Sequence, residues 1–216
     1  MTIRLLACGL LLLTGTMANA ADLKPDTDGY INHWLVLEGF ELGEKASDHS
    51  EESQKNFLTQ EAFANEFKAQ PKDGDKVKIT LPEVTSTEVT STEVTWKARE
   101  GENGVLNFDE VDNVMFISVV YITSEVEITE AKLSIGSDDS SSWRVNGTEV
   151  LAVYEGRGVE PDANESSPFT LVKGTNVILA AVINGSGPSG LSARILDKTG
   201  TPVKNVVVSL TPPPAK

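Results

Sequence analysis

The sequence predicts a mainly β protein: an antiparallel β-sandwich of the jelly-roll kind with one short helical insertion. Three observations predict it. From Trp96 onward, short segments rich in Val and Ile recur between turns of Gly, Asn, Asp or Pro. Only one stretch, around residues 48–68, carries helical spacing instead. Asn146-Gly147, between Trp143-Arg144-Val145 and Thr148-Glu149-Val150, has the φ > 0 tolerance that a tight type I′ hairpin requires.

The first twenty residues, MTIRLLACGLLLLTGTMANA, have one basic residue, an apolar run and a small-residue end at Ala18-Asn19-Ala20. They read as a cleaved secretory signal, which places the mature start at Ala21 and the protein outside the cytoplasm: periplasmic, cell-surface or released. A lipoprotein is the competing reading, because LLAC ends at Cys8, but most of the apolar run follows that cysteine instead of preceding it. Cleavage removes Cys8, the only cysteine, so the mature chain has no disulfide and no thiolate. Its cohesion must come from its core. The remaining ~196 residues are enough, since ~150 already bury about 70% of their unfolded surface. We read residues 21–211 as one sandwich domain and 212–216 as a disordered tail.

In YINHWLVLEGFELG, Trp34 and Val36 alternate with Leu35 and Leu37, which predicts a buried strand. Asp48 with Glu51 resembles a capping box, and Phe63 and Phe67 lie one turn apart before Pro71 ends the helical pattern. PKDGDKVKI reads as a turn and a strand. The unit EVTST occurs twice over 83–92 and begins again at Glu93. Its odd length puts Val84 and Val94 on one face of an extended chain and Val89 on the other, so residues 83–95 read as a tolerant loop or edge and not as a functional repeat. Strands are then expected at 113–124, 130–137, 142–147, 148–154, 167–174, 175–185, 191–197 and 203–210, with 113–124 and 176–183 apolar on both faces and therefore central.

Net charge is −14, a field that repels nucleic acid and anionic lipid and leaves neutral glycans, basic surfaces and divalent cations as partners. Catalytic chemistry finds little support. His33 and His49 are the only histidines, one beside Trp34 at a strand start and one at a helix cap, and no serine sits in a nucleophile-elbow context. The expectation is a non-catalytic protein.

The stretch that carries chemistry is SIGSDDSSSWRVNGTEV, Ser134 to Val150. Adjacent carboxylates repel unless something positive lies beside them. Either the Asp138-Asp139 pair is a solvated or salt-bridged turn, with Arg157 as the basic neighbour, or it holds a cation. Calcium takes 6–8 oxygen ligands, and Asp138, Asp139, Asn146 and Asp162 are the candidates to supply some of them.

LSIGSDDSSSWRVNGTEV, followed by RGVEPD, LVKGTNVILAAVINGSG and LSARILDKTGTPV, resembles the secreted bacterial β-sandwich domains of the galactose-binding-like and PA14-like kind, as does the opening DGYINHWLVLEGFELG. The resemblance spans most of the mature chain. It implies a jelly-roll sandwich, a non-catalytic role, association with carbohydrate, and a calcium and sugar site inherited by Asp138 and Asp139. Two aromatics of the pattern are absent: Arg144 stands before the Asn-Gly turn, and Gly187 to Leu191 contains none. Tyr154 is the remaining aromatic candidate near the EGRG loop, so binding would lean on polar or metal contacts. Two functions follow: a carbohydrate-associated binding module using Asp138, Asp139, Arg157 and Tyr154, or a structural or protein-interaction domain of the cell envelope in which those residues only fix the loop.

Overall fold

The computed structural model describes residues 23–81 and 93–214. The signal segment and residues 83–92 of the expected loop or edge at 83–95 lie outside the described residues; Glu93, Val94 and Thr95 are strand, paired with Lys78, Val77 and Lys76. In chain order the elements are β1 (His33–Glu41), a 3-10 turn (Glu44–Ser47), α1 (Glu51–Thr59), a second 3-10 turn (Glu66–Lys68), β2 (Lys76–Lys78), β3 (Glu93–Glu100), β4 (Leu106–Asn107), β5 (Val114–Ser124), β6 (Ile128–Asp138), β7 (Ser141–Val145), β8 (Thr148–Val153), β9 (Asn164–Glu165), β10 (Phe169–Leu171), β11 (Gly174–Asn184), β12 (Gly190–Leu196) and β13 (Val207–Ser209).

These strands form two antiparallel sheets. The larger runs β2-β3-β1-β5-β11-β7-β8, with β13 also on β5, and the smaller runs β10-β6-β12-β4, with β9 also on β6. The β-sandwich expected from the sequence is the architecture observed. β5 and β11 pair in unbroken register from Gly174↔Ser124 to Asn184↔Val114. Both lie mid-sheet, which explains why their sequences are apolar on both faces.

Period two sorts β1 between two cores. Trp34 and Val36 join the inter-sheet cluster with Trp143, Ile135 and Ala193, and Trp34 meets Trp143 edge to face at 6.3 Å. Leu35 and Leu37 face the other way, into a second cluster with Phe57, Leu58, Phe63 and Trp96. The helical insertion therefore forms a third layer on the outer face of the large sheet.

That insertion is more broken than the expected helix over 48–68. Its α-helix stops at Thr59, because Gln60 is extended, and Asn65 then takes a left-handed φ of 60° before the second 3-10 turn. The cap is also two residues later than the sequence suggests. Ser50, not Asp48, caps α1 through the Ser53 amide, while the Asp48 carboxylate accepts from the Ser50 N–H at 3.0 Å.

The Asn146-Gly147 hairpin forms as expected, with φ of 51° and 81°. Val145 pairs with Thr148 and Arg144 with Glu149, but a bulge then makes Trp143 face Leu151 and leaves Val150 out of register. Arg144 points to the outer face without reaching solvent. Its guanidinium lies 3.7 Å from the centre of the Phe67 ring and donates to Glu149 at 2.9 Å, so the insertion covers it. Among the described residues, no helix is long and apolar enough to cross a membrane.

Candidate functional site

β6 pairs with β12 in the small sheet as far as Asp138↔Gly190. One residue later the chain belongs to the large sheet: Asp139 N–H donates to Ile183 O at 2.8 Å, and Ile183 N–H donates to Ser140 O at 2.9 Å. Asp138-Asp139 is thus the step by which the chain crosses between layers, and its peptide bond is cis. Small Ser140, Ser141 and Ser142 follow, all buried.

Asp139 is only 7% exposed, and each of its carboxylate oxygens accepts a backbone N–H. Oδ1 takes Arg157 N–H and Oδ2 takes Gly185 N–H, both at 2.9 Å. One carboxylate therefore ties the loop after β8 to the loop after β11. Asp138 is half-buried. Burial first, and then the charge of Asp139, push its carboxyl up to about 6, against the opposing pull of Arg157 and the Val159 amide.

The Arg157 guanidinium does not pair with these carboxylates, contrary to the salt-bridged reading of the turn. Nε donates to Ser137 O at 3.0 Å, Nη2 to Ser137 Oγ at 2.8 Å and Nη1 to Asn164 Oδ1 at 2.5 Å. What Arg157 gives Asp139 is its backbone amide. Among the described residues, neither aspartate has a Lys, Arg or His ion pair within 4.0 Å.

The candidate metal set does not assemble as one site. Asn146 sits at the hairpin tip, at the far end of β7 and about 20 Å of extended chain from Asp139. Its amide is engaged there: Nδ2 donates to Asn176 Oδ1 and Oδ1 accepts from Val177 N–H, both at 2.9 Å. Asp162 lies against Ser134, about 13 Å along β6 from Asp138. There it accepts from Arg194 Nε and Nη2 at 2.9 and 2.6 Å, from Tyr30 at 2.7 Å and from Ser134 at 2.6 Å. Burial works against its ionisation, but the hydrogen bonds from Ser134 and Tyr30 and the charge of Arg194 hold its carboxyl below the usual range. Tyr154 is half-buried and packs on the second core cluster, with Glu149, Glu51 and Arg144 as its charged surroundings. The structure brings together Asp138, Asp139 and Arg157 only.

Two further residues border the corner, and neither is among the expected site residues. Asn184 ends β11, next to the Gly185 amide that holds Asp139. Its Nδ2 donates to Val111 O and Gly187 O, whereas its buried Oδ1 has no hydrogen-bond partner among the described residues. His49 reaches over from the insertion and lies against Gly156 and Gly185. The signal for Asn184 was a strand-ending Asn before a glycine turn, which reads locally as turn chemistry. Nothing local distinguished His49.

The donors at this corner are all oxygens. Among the described residues, no three of His, Cys, Asp and Glu cluster as ligands. A nitrogen- or sulfur-seeking metal such as zinc has no cage here. Asp138, Asp139 and the orphaned Asn184 Oδ1 are hard oxygens, the donor type calcium takes together with backbone carbonyls and water.

No family model matches the chain, and no curated protein matches its sequence. Among solved structures it is similar to the PA14 domain of the MpAFP antifreeze protein (14% identity, TM-score 0.38, covering 81% of this chain and 89% of that one). It is also similar to the PA14 sugar-binding domain of an RTX adhesin (13%, 0.38, 84% and 96%). A third is the A domain of epithelial adhesin 9 from Candida glabrata, solved with Galβ1-4GlcNAc (9%, 0.39, 88% and 94%). The sandwich assignment rests on the chain's own two sheets.

Proposed function

We propose that this chain is an exported, non-catalytic, carbohydrate-associated binding module whose ligand sits at the Asp138-Asp139 corner with the assistance of calcium. One observation carries the reading. Among the described residues, two adjacent carboxylates occupy the crossing between sheets with no cationic side chain paired to them, while an Asn184 oxygen without a hydrogen-bond partner lies one residue from the amide that holds Asp139. Adjacent like charge that Arg157 offsets only in part is stabilised further by a hard cation. A bound calcium would supply a Lewis-acidic centre for sugar hydroxyls. The protein's own residues do the rest: Asp139 locks two loops, Ser137 and Asn164 hold Arg157 away from the carboxylates, and half-buried Asp138 faces the ligand. The sugar as ligand class rests on the motif resemblance over residues 133–203, and export on the N-terminal segment.

Thermal melting with calcium and with chelator tests the metal. A ligand that binds only the folded state adds about 2.7 kcal/mol at a hundredfold excess over Kd. We expect calcium to raise Tm and Asp138→Ala to abolish the rise. No shift at millimolar calcium would remove the metal from the proposal. A glycan array probed in calcium tests the sugar: a silent array would leave an envelope-interaction domain as the better account.

A further inference from the structure

We infer that His49 is a ligand-contacting, specificity-determining side chain of the Asp138-Asp139 corner, hydrogen-bonding a hydroxyl of the bound sugar through its imidazole; this rests on the reading of that corner as a calcium-assisted sugar site. His49 belongs to the helical insertion, far in sequence from β6, yet its ring lies at the rim between the same two loops that Asp139 ties together. A Cβ placed on Gly156 would stand 3.0 Å from His49 Cγ and Cδ2. One placed on Gly185 would stand 3.0 Å from His49 Cε1 and 3.4 Å from Asp139 Oδ2. Both positions are glycine, and the ring occupies the room their missing side chains leave. Gly185 supplies one of the two amides that fix Asp139, and Gly156 immediately precedes Arg157, which supplies the other.

The backbone around His49 is pinned on both sides. Ser47 Oγ donates to Asn113 Oδ1 at 2.6 Å and lies 3.3 Å from Gly185 O. Buried Gln54 spends its amide nitrogen on Ala46 O at 2.9 Å and Asp48 O at 2.6 Å. Asp48 in turn accepts the Ser50 N–H. A residue held this firmly by its neighbours, while its own imidazole stays exposed and makes no hydrogen bond among the described residues, is preorganised for a partner from outside the chain. Imidazole offers a donor and an acceptor on one rigid ring, which suits a hydroxyl that is itself both. The site thereby gains a polar reader where Arg144 and the loop after Gly187 lack an aromatic platform.

The test separates a contact from simple packing. His49→Phe keeps a ring between the two glycines and removes the nitrogens; His49→Gln keeps a polar group and guards against a variant that fails to fold. Each is compared with the parent in calcium-dependent melting and in titration with galactose, glucose, mannose and fucose at saturating calcium. We expect both variants to keep the parent's calcium shift, His49→Phe to lose about tenfold in affinity for the preferred sugar, and His49→Gln to recover part of it. Unchanged affinity and unchanged sugar order in His49→Phe would overturn the role of His49 and leave the corner reading standing. A parent that responds to calcium but binds none of the four sugars would overturn both the role and the sugar assignment, and a parent that responds to neither would overturn the site itself.

Discussion

Asp138 and Asp139 are chemically identical and adjacent, yet the fold gives them different tasks. Asp139 has both oxygens committed to backbone amides, so it acts as a clamp; Asp138, half-buried beside that charge, is the carboxylate to which the proposal gives the ligand. Their substitutions should therefore separate. Asp139→Ala leaves two loop amides without their acceptor inside the fold, and we expect a loss of about 1–3 kcal/mol by chemical denaturation together with the calcium response. Asp138→Ala should lose the calcium response with little change in the chelated protein's denaturation midpoint. Equal destabilisation by the two would contradict the division of labour.

The helical insertion covers the outer face of the large sheet and carries a buried acid. Glu66 is 2% exposed and its carboxylate accepts from Ala62 N–H. Burial, aided by Glu61 and opposed by the Ala62 bond and Arg144, pushes it up to about 7. A raised acid favours the folded state while protonated, so this contribution is full below about 4.5 and lost as pH rises through about 7. Stability should fall between pH 5 and pH 8. Glu66→Gln keeps an acceptor for Ala62 and removes the titration, so we expect a flatter profile and a gain on the order of 2 kcal/mol at pH 8, read by urea denaturation across that range. An unchanged slope in the variant would place the charge cost elsewhere. The same insertion buries Arg144 under Phe67 and places His49 beside Gly156 and Gly185, so one element seals a core face and borders the corner.

At the scale of the molecule, aliphatic and aromatic contacts hold three layers together. The sequence has one cysteine, so no intramolecular disulfide is available, and melting should be identical with and without a thiol reductant. A reductant-dependent midpoint would point to intermolecular pairing through Cys8 and hence to retention of the N-terminal segment. Strand order places β6, the crossing at Asp138-Asp139 and the ends of β8 and β11 at one rim, so three segments remote in sequence form one corner.

Much of this was legible in the chain. Alternation in Trp34 to Leu37 marked both faces of β1 as buried, the doubly apolar runs marked β5 and β11 as central, and Asn146-Gly147 marked its hairpin, whereas the Asp pair read as a solvated or salt-bridged turn or a cation site and not as a crossing between sheets with Asp139 buried. Each is a local pattern, with period or turn chemistry visible within about ten residues. The positions of Asn146, Asp162 and Tyr154 away from the corner were not legible. Their residue types suited a site, but strand length and register set where they lie, and partners such as Asn176 and Arg194 claim the first two. Asn184 and His49 were equally hidden, one reading as a turn and the other as a cap. Periodicity reports which way a side chain points from its own strand, whereas a site is made by which strands and loops end side by side, and that depends on pairing between distant segments.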